Sequence, residues 1–479
     1  MLKLRLKEVG LGSFVVALVL VSGTIAEDSP AKSLRETPTV RLIRQLQPTV
    51  LPVYVDVEPG RIGSGTATII HPDGFLLSVD HVTAGKPGVV LLGRERVPYR
   101  IVGRLPEKDL AILKIQRSQP LPFTMLGRSH DLMAGEPIIA AGNPGGRGLV
   151  FTQGIISSPS IVVDSPSALA MTFFESGRDE FIQFDAASNR GNSGGLLANA
   201  DGRQIGVINA KVYQEENINY AIPIDRIRHL LPNLLGVEEQ GAFSTGLNVS
   251  MLADRAEVSE VWADSAASRC GLRPGDVIVE CQGQTIRQGA DWLLQLTQRK
   301  LEDSLALTWK RDGAEQRGAL VLEKYPLPEP VAKEGKTPGL KYAAYQGQFA
   351  KMPDFAKLKP VREGETDRLQ TNALSPVGPD RYALTYEGYL EFPKAGLFRL
   401  SLLSDDGSRM FLNNRMIIDN DFNHPAQELS RLVRVSAGLH PIRIEYFENT
   451  GDSELSLFIE GDKLPRQSAQ GLFYRDQRD

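Results

Sequence analysis

Asn189-Arg190-Gly191-Asn192-Ser193-Gly194-Gly195 is the stretch of this 479-residue sequence that decides the fold. A strand-like run at 181–185 precedes it, and its serine stands among small residues. A serine hydroxyl is a poor nucleophile at neutral pH, so it needs a base within hydrogen-bond reach and donors for the oxyanion that it creates. Glycines permit the sharp turn and the close backbone approach that such a site requires.

Two upstream segments supply the partners that a nucleophilic Ser193 needs. The segment 78–85 ends an apolar strand at His81, and the segment 108–115 opens an alternating strand with Asp109. The order histidine, aspartate, serine is one of the known orders of a catalytic triad, and it is the order found on double β-barrels. A turn serine, a core histidine or a strand-capping aspartate is ordinary in isolation, but three such residues in this order favour catalysis.

Residues 40–235 resemble the protease domain of the HtrA family, which consists of trypsin-like enzymes of the cell envelope. The resemblance extends to Gly-Ser-Gly-Thr-Ala at 63–67, Ala-Gly-Asn-Pro at 141–144 and Tyr-Ala-Ile-Pro-Ile at 220–224. It implies a mainly β fold with one barrel over about 49–130, a second over 131–222, and the cleft between them. It also implies a homo-oligomer, a trimer in relatives, in which the segment before the first barrel takes part.

The resemblance gives each residue of the triad a role. Ser193 attacks the peptide carbonyl, His81 takes its proton, and Asp109 orients the imidazole ring and stabilises the imidazolium. The backbone N–H groups of Gly191 and Ser193 form the oxyanion hole. No cofactor is expected for this chemistry. His71 has no such context, and we interpret it as structural.

The specificity pocket is expected to hold no charge. Ala187 stands six positions before the nucleophile, and Ile208, Asn209 and Ala210 are expected to line the rest. A substrate cation would be left unpaired there, which is costly in a confined site. We therefore expect cleavage after small or aliphatic residues. Asn192 replaces the aspartate that binds a newly cut N-terminus in digestive trypsin-like enzymes, so that route of activation is not expected.

The N-terminus has the pattern of a secretory signal peptide over residues 1–26. Lys3, Arg5 and Lys7 precede an apolar stretch at 9–21, and small residues follow at 24–26. The apolar stretch is short for a membrane span, which needs about 20 residues; an uncleaved anchor is the alternative. The pattern predicts an exported protein in the periplasm, the cell envelope or the extracellular space.

Composition narrows the functional classes further. The formal net charge is −4, and removal of residues 1–26 takes away three basic charges and one acidic charge, which leaves −6. This mild acidity gives no electrostatic footprint for nucleic acid. Only two cysteines occur, Cys270 and Cys281, so the chain is not a disulfide scaffold. They are interpreted as small core residues, and a disulfide between them is the alternative.

Residues 241–325 resemble a PDZ domain, an α+β fold, through the segments 263–267 and 271–278. PDZ modules bind an extended peptide as an added strand and hold its C-terminal carboxylate with backbone N–H groups. The expected peptide-binding loop consists of Gly246, Leu247, Asn248 and Val249. Asn248 departs from the family's usual glycine, and the helix at 289–299 is expected to border the groove. A PDZ domain that serves only in packing or regulation is the alternative.

Residues 326–338 are rich in proline and charge and predict a semi-rigid linker. Beyond them, residues 339–479 resemble the protective-antigen β-sandwich and the related GLEYA modules, through the segments 339–345, 386–390, 404–408, 418–421 and 438–442. Such modules are often carbohydrate-binding, so glycans are expected partners. Asp405 and Asp406, with Asn420 and Asp421 in a second loop, offer the hard oxygen ligands that Ca²⁺ prefers. A plain strand-joining turn is the alternative.

The sequence thus predicts an exported serine endopeptidase that cleaves unfolded or exposed protein segments through an acyl-enzyme. The alternative is a catalytically silent or gated envelope binding protein, an adhesin that uses the PDZ and C-terminal modules. A scaffold has no need of all three triad residues, which favours the enzyme. A glycan-processing enzyme is disfavoured because no pair of carboxylates is placed for it.

Overall fold

A computed structural model describes residues 35–58, 61–162, 180–211, 217–349, 351–376, 378, 380–421 and 426–477. The predicted signal peptide lies outside these residues. The chain from Leu42 onward is one compact unit, and its architecture is mainly β, as predicted from the sequence. Within the described ranges, no helix combines the length and the apolar character needed to cross a bilayer.

The first barrel is a closed sheet of six antiparallel strands in the order β1-β2-β3-β6-β5-β4. Its strands are β1 Val50–Glu58, β2 Arg61–His71, β3 Phe75–Ser78, β4 Gly88–Leu92, β5 Glu95–Leu105 and β6 Leu110–Ile115. β3 and β6 are buried along their whole length, because both faces of these apolar strands are covered. Helix α1, Pro38–Leu46, precedes the barrel, and the short helix α2, Asp80–Thr83, follows β3.

The second barrel repeats this architecture in the order β10-β11-β12-β9-β8-β7. Its strands are β7 Pro137–Gly142, β8 Val150–Val162, β9 Glu180–Phe184, β10 Leu196–Asn199, β11 Gln204–Lys211 and β12 Asn219–Pro223. Its core is built from small and β-branched residues, including Ile138, Ile156 and Ile208, and from Phe184.

Helix α3, Ile224–Leu235, closes the two-barrel region and is followed by helix α4, Val237–Gly241. The apolar face of α3 is buried through Ile227, Leu231 and Leu234. Asp225 lies inside the first turn and accepts hydrogen bonds from the backbone N–H groups of Ser129 and His130, each at 3.0 Å. Its carboxylate therefore fastens the loop before β7 rather than capping the helix.

The next region has the strands and two helices expected of a PDZ domain. Its strands are β13 Phe243–Ser244, β14 Leu247–Val249, β15 Val258–Val261, β16 Val277–Cys281, β17 Gln284–Thr285, β18 Ser304–Arg311, β19 Ala314–Val321 and β20 Glu323–Lys324. Its helices are α5, Ala266–Cys270, and α6, Gly289–Leu296. Cys270 and Cys281 are free thiols. Cys281 is buried and Cys270 is half-buried, so both pack as the small residues expected, without a disulfide. Burial raises the pKa of the Cys281 thiol to about 11.

The C-terminal region is a β-sandwich of two antiparallel sheets. Its strands are β21 Lys336–Pro338, β22 Leu340–Gln346, β23 Arg362–Thr366, β24 Tyr382–Phe392, β25 Gly396–Asp405, β26 Ser408–Leu412, β27 Arg415–Asn420, β28 Gln427–Val435, β29 Gly438–Glu448, β30 Glu454–Gly461, β31 Leu464–Ser468 and β32 Phe473–Asp476. The smaller sheet has the order β28-β25-β30-β31, so β28 is an edge strand. The sandwich begins earlier than predicted, because β21 pairs with β32 inside the expected linker.

Candidate active site

The triad aspartate stands at the junction of a turn and a strand in the first barrel. The 3-10 turn Pro106–Lys108 leads into β6, and Asp109 between them has φ +49°. Its N–H donates to the carbonyl of Pro106 at 3.0 Å. Asparagine and aspartate enter this left-handed region more readily than most residues. The tight turn therefore fixes where the carboxylate of Asp109 lies.

Three hydrogen bonds orient the carboxylate of Asp109, whose side chain is only 8% exposed. The backbone N–H of His81 donates to Oδ1 at 2.8 Å, and Nδ1 of the same histidine lies 2.7 Å from Oδ2. The side-chain amide of Asn209 donates to Oδ2 at 2.6 Å. This arrangement places the proton of the imidazole on Nδ1, which leaves Nε2 as the nitrogen that can act as a base.

A partly buried ion pair lies beside the histidine. Asp80, the first residue of α2, accepts two hydrogen bonds from the guanidinium of Arg104, at 2.8 and 2.7 Å. Bidentate pairs of this kind fix orientation as well as contributing energy. Because Arg104 belongs to β5 and Asp80 precedes His81 directly, the ion pair ties the short helix to the barrel wall.

Ser193 contacts both barrels. Its carbonyl accepts from the N–H of Thr66 at 2.9 Å, and its hydroxyl donates to the carbonyl of Asn209 at 3.2 Å. Asn209 thus contacts the serine with its backbone and Asp109 with its side chain. Asn209 therefore connects Ser193 to the pair formed by His81 and Asp109, and the catalytic roles of these residues are a proposal.

The loop before Ser193 has a conformation that demands glycine. Gly191 has φ +102°, and a Cβ there would lie 2.2 Å from the carbonyl oxygen of Asn143. The carbonyl of Arg190 accepts from the N–H of Gly145 at 2.7 Å. Since a trans peptide directs its C=O and N–H to opposite sides, the N–H of Gly191 faces away from that loop. Such an N–H is the donor that the predicted oxyanion hole requires.

The predicted pocket residues do not all share one surface. Ala187 is exposed, and its carbonyl accepts from the hydroxyl of Thr152 at 3.1 Å. Ile208 is buried in the core of the second barrel. Asn209 differs from the prediction, because its amide is directed at Asp109 rather than into a pocket wall. Ala210 belongs to β11, and its side chain lies outside the described part of the structure.

Asn192 is buried at the base of the serine loop. Its side-chain amide donates to the hydroxyl of Ser188 at 3.2 Å, whereas its Oδ1 is buried with no hydrogen-bond partner among the described residues. A neutral amide held within its own loop provides no carboxylate for a charged N-terminus. The route of activation stays a prediction from the sequence.

The expected peptide-binding loop of the PDZ region is held by contacts within the domain. Gly246 has φ +74°, and its carbonyl accepts from the N–H of Trp262 at 2.9 Å and from the hydroxyl of Ser265 at 3.1 Å. Asn248 lies in β14, where its amide donates to Glu260 at 2.8 Å across the strand pair. Leu247 and Val249 are buried. The asparagine therefore occupies ordinary strand conformation.

Helix α6, expected to border the groove, is buried along almost its whole length. Every residue from Gly289 to Leu296 is buried except the half-buried Leu293, and the helix contacts α3 and α4. Just before it, Gln288 donates to the carbonyl of Leu126 in the protease region at 2.8 Å. These contacts give the domain a packing role against the barrels. Capture of a peptide by the loop remains a prediction.

His71 belongs to the same contact surface and behaves as the structural residue predicted. It is 1% exposed, and its Nδ1 accepts from the N–H of Asp73 at 3.2 Å. Burial lowers the pKa of His71, and the carboxylate of Asp291 in α6, 3.9 Å from Nε2, opposes that shift. The neutral ring therefore packs at the boundary between the first barrel and the PDZ region.

The C-terminal sandwich holds a cluster of three buried carboxylates. Asp405 and Asp406, predicted as calcium ligands, meet Glu448, which lies at the end of β29 and was not anticipated from the sequence. One oxygen from each lies within 4.8 Å of the others. Burial and the neighbouring Asp406 raise the pKa of Asp405 to about 6, and burial raises the pKa of Glu448 to about 8.

The second predicted loop contributes unequally to this cluster. Asn420 donates to the hydroxyl of Ser404, beside Asp405, at 3.3 Å. Asp421 instead pairs with Arg409 at 2.5 Å. A carboxylate neutralised by an arginine is a poor candidate for metal binding, so the structure favours Glu448 over Asp421 as the third acidic group.

Two six-stranded antiparallel barrels, with the predicted histidine and aspartate in the first and the predicted serine in the second, are the architecture of the trypsin-like serine peptidases. Family models agree with this class and with the domain order. A trypsin-like peptidase domain matches residues 65–207, a PDZ domain matches 244–320, and a PA14 domain matches 336–464.

Curated relatives give the family. "Probable periplasmic serine endoprotease DegP-like" of Marinomonas sp. is 32% identical over 287 residues, which are 56% of this chain and 58% of the relative. "Serine protease HTRA2, mitochondrial" of Bos taurus is 34% identical over 48% of this chain and 54% of the relative. "Putative serine protease HhoB" of Synechocystis sp. is 31% identical over 58% of this chain and 70% of the relative. The chain belongs to the HtrA family of serine proteases.

The match does not extend over whole relatives. The chain spans 58%, 47% and 49% of the length of three DegP-like relatives. A solved structure, "HtrA-type protease AlgWS227A with tripeptide", is 29% identical over 61% of this chain and 98% of that chain, with a TM-score of 0.37. At that TM-score, the family assignment depends on the sequence relatives rather than on the superposition.

The contact between Asn209 and Asp109 gives a first prediction. Replacement of Asn209 by alanine removes a donor to a buried carboxylate, and hydrogen bonds to charged groups contribute about 1.5–3 kcal/mol. We expect the kcat of peptide hydrolysis to fall by at least about tenfold while KM changes little, because the backbone carbonyl of Asn209 is retained. Asn219→Ala, which removes a buried amide in β12 of the same barrel, is the matched control. Equal activity of the two variants would contradict this orienting role.

The acidic cluster gives a second prediction. Because the folded pKa values of Asp405 and Glu448 are raised, the folded domain binds more protons than the unfolded chain above about pH 4. Without added metal, stability is fully present below that pH and falls as pH rises through about 6 and then about 8. We expect a loss of about 1–3 kcal/mol between pH 5 and 9, measured as the C-terminal unfolding transition of the full chain.

Glu448→Gln should remove the part of this pH dependence that lies between about pH 6 and 8, above the folded pKa of Asp405 and below that of Glu448. Glu460→Gln, which changes an exposed carboxylate of β30, should leave the pH dependence unaltered. A wild-type unfolding transition that does not move between pH 5 and 9 would contradict the assignment of raised pKa values to this cluster.

Proposed function

We propose that this protein is an exported serine endopeptidase that cleaves unfolded or exposed segments of proteins through an acyl-enzyme formed on Ser193. The observation that carries the proposal is the carboxylate of Asp109, which contacts His81 at 2.7 Å and Asn209 at 2.6 Å, while Asn209 also contacts the serine. A binding protein derived from a protease has no need to preserve this connected set.

Each group then performs a defined step. His81 Nε2 removes the proton of the Ser193 hydroxyl as the oxygen attacks, and Asp109 stabilises the imidazolium that forms. The N–H groups of Gly191 and Ser193 donate to the oxyanion, and loss of one such donor typically costs roughly 2.7–4 kcal/mol of barrier. The imidazolium returns its proton to the leaving amine, and water then attacks the acyl-enzyme by the same route.

Substrate preference follows from the groups near the serine. Ala187, which stands six positions before Ser193, is exposed and brings no charge. A lysine or arginine side chain of the substrate would lose hydration without gaining a partner. We propose cleavage after small or aliphatic residues. Export is supported by the signal-peptide pattern at 1–26 and by relatives whose names place them in the periplasm.

For the C-terminal domain we propose a calcium site formed by Asp405, Asp406 and Glu448. Calcium binds oxygen ligands at about 2.3–2.6 Å, and a single ion can bridge oxygens that lie within 4.8 Å of one another. Glu448 Oε1 is buried without a hydrogen-bond partner among the described residues, so a bound cation would satisfy it. A bound cation would also offset the mutual repulsion of the buried carboxylates. A glycan hydroxyl is the expected additional ligand.

The central prediction concerns the nucleophile. Ser193→Ala should abolish degradation of an unfolded, casein-like protein, because removing the nucleophile of such a triad typically costs about 10⁶ in kcat. Mass spectrometry of the wild-type products should show cleavage after alanine, valine, leucine or isoleucine.

Ser158→Ala is the matched control, since this serine lies in β8 and its hydroxyl donates to the carbonyl of Ser160. It should cleave like the wild type. Serine-independent cleavage would overturn the assignment of Ser193. No cleavage by the wild type, even with activating peptides present, would favour the gated or silent binding protein.

Calcium binding is tested on the full chain by thermal unfolding. Calcium at about a hundred times its dissociation constant should stabilise the C-terminal domain by about 2.7 kcal/mol. Asp405→Asn should remove this effect, whereas Asp419→Asn, which changes an exposed carboxylate of β27, should retain it. An unfolding curve of the wild type that calcium does not change would leave Asp405 and Asp406 as turn residues.

A further inference from the structure

The edge strand of the C-terminal sandwich contacts the turn that carries the triad aspartate. β28 pairs with β25 on one side only, and Ser430 stands opposite Ser401 in that pair. Its N–H donates to the carboxylate of Glu107 at 3.1 Å. Its carbonyl accepts from the side-chain amide of Asn233, in α3, at 3.0 Å. Two protease side chains thus satisfy the backbone groups that an edge strand otherwise leaves unpaired.

Glu107 is placed where this contact can affect catalysis. It lies in the turn Pro106–Lys108, two residues before Asp109, whose backbone N–H closes the turn. Arg104 is close enough to respond electrostatically to Glu107, and the same guanidinium binds Asp80 beside His81. One carboxylate is therefore adjacent to the supports of both the histidine and the aspartate.

Other charges around Glu107 come from both domains. Arg399 in β25 and Lys108 in the turn act on it, and burial raises its pKa against these influences. A half-buried carboxylate at a domain boundary is costly unless hydrogen-bonded. The bond from Ser430 supplies such a partner from the C-terminal domain.

We propose that the C-terminal domain positions the catalytic triad, with Glu107 as the positioning residue through which strand β28 holds the turn that carries Asp109. This inference rests on the proposed peptidase function. Misplacement of a catalytic group by about 1 Å can cost about 10²-fold in rate. Loosening the turn should therefore lower kcat without removing substrate binding.

The same interface offers a control that leaves the turn untouched. Arg434, four residues further along β28, donates to the carbonyl of Glu239 in α4 at 2.5 Å. Arg434→Ala weakens the contact between the same two domains but removes nothing from the turn before Asp109. Comparison of changes at Glu107 and Arg434 separates positioning of the triad from attachment of the domain.

The test uses full-length protein and a fluorogenic peptide taken from a mapped casein cleavage site. Glu107→Ala should lower kcat about tenfold with KM within twofold, whereas Arg434→Ala should keep kcat within twofold. Glu107→Gln, which retains an oxygen acceptor for the N–H of Ser430, should recover most of the activity. Thermal unfolding identifies any variant that fails to fold.

A substitution of Ser430, the partner of Glu107 in this contact, provides an independent variant. Ser430→Pro removes the donor N–H at an edge position, where proline is tolerated because the N–H faces away from the sheet. It should lower kcat as Glu107→Ala does. The double variant should be no slower than the slower single variant, because both changes break the bond between the N–H of Ser430 and Glu107; Ser430→Pro also removes the hydroxyl contact with Ser401, which lies away from the turn.

The outcomes separate this inference from the peptidase proposal. If wild-type cleavage does not depend on Ser193, the peptidase proposal fails. If wild-type cleavage depends on Ser193 but Glu107→Ala is as active as Arg434→Ala, the positioning role alone is overturned. Equal losses for Glu107→Gln and Glu107→Ala would show that the bond to Ser430 does not hold the turn, and would overturn it as well.

Discussion

The buried carboxylate of Asp109 is the group around which the catalytic region is built. It accepts from the backbone of His81, from the ring of His81 and from the amide of Asn209, so both of its oxygens are used. A carboxylate at 8% side-chain exposure would be strongly unfavourable without such donors. The donors stabilise the buried charge of Asp109, and the charge in turn fixes the orientation of the His81 ring. Because the donors come from both barrels, the position of the triad depends on the packing of one barrel against the other.

The sequence was sufficient for the parts of this arrangement that short motifs encode. The order of His81, Asp109 and Ser193, with small residues around the serine, led to the double barrel and the family. Asn209 was assigned to the pocket instead, because nothing near it in the sequence shows that its amide meets Asp109 of the other barrel. Glu448 was not anticipated, because it lies far along the chain from Asp405 and becomes its neighbour only through strand pairing. Motifs show local chemistry, whereas contacts between distant strands require the fold.

The boundary between the predicted linker and the C-terminal sandwich also differs from the prediction. Prolines at 326–330 indicate an extended segment, yet Val331 already bridges to Leu439, and β21 completes a sheet of the sandwich. Extended backbone is equally suited to a spacer and to an edge strand, so composition does not distinguish them. The sequence likewise predicted a helix at 289–299, but it did not predict which elements pack against that helix. A helix buried on nearly all sides needs a second covering surface, and here α3 and α4 contribute to it.

The edge strand β28 joins two features that are separate in the sequence. At its start, Gln427 pairs with Ser404, the residue before Asp405, and Ser430, three residues later, donates to Glu107. A strand rises about 3.3 Å per residue, so the acidic cluster and the turn before Asp109 are connected by about 10 Å of hydrogen-bonded backbone. An extended strand transmits displacement better than a flexible linker of the same length, because its backbone bonds to β25 hold its register. One contact between the C-terminal domain and the protease therefore lies at the turn that leads into Asp109.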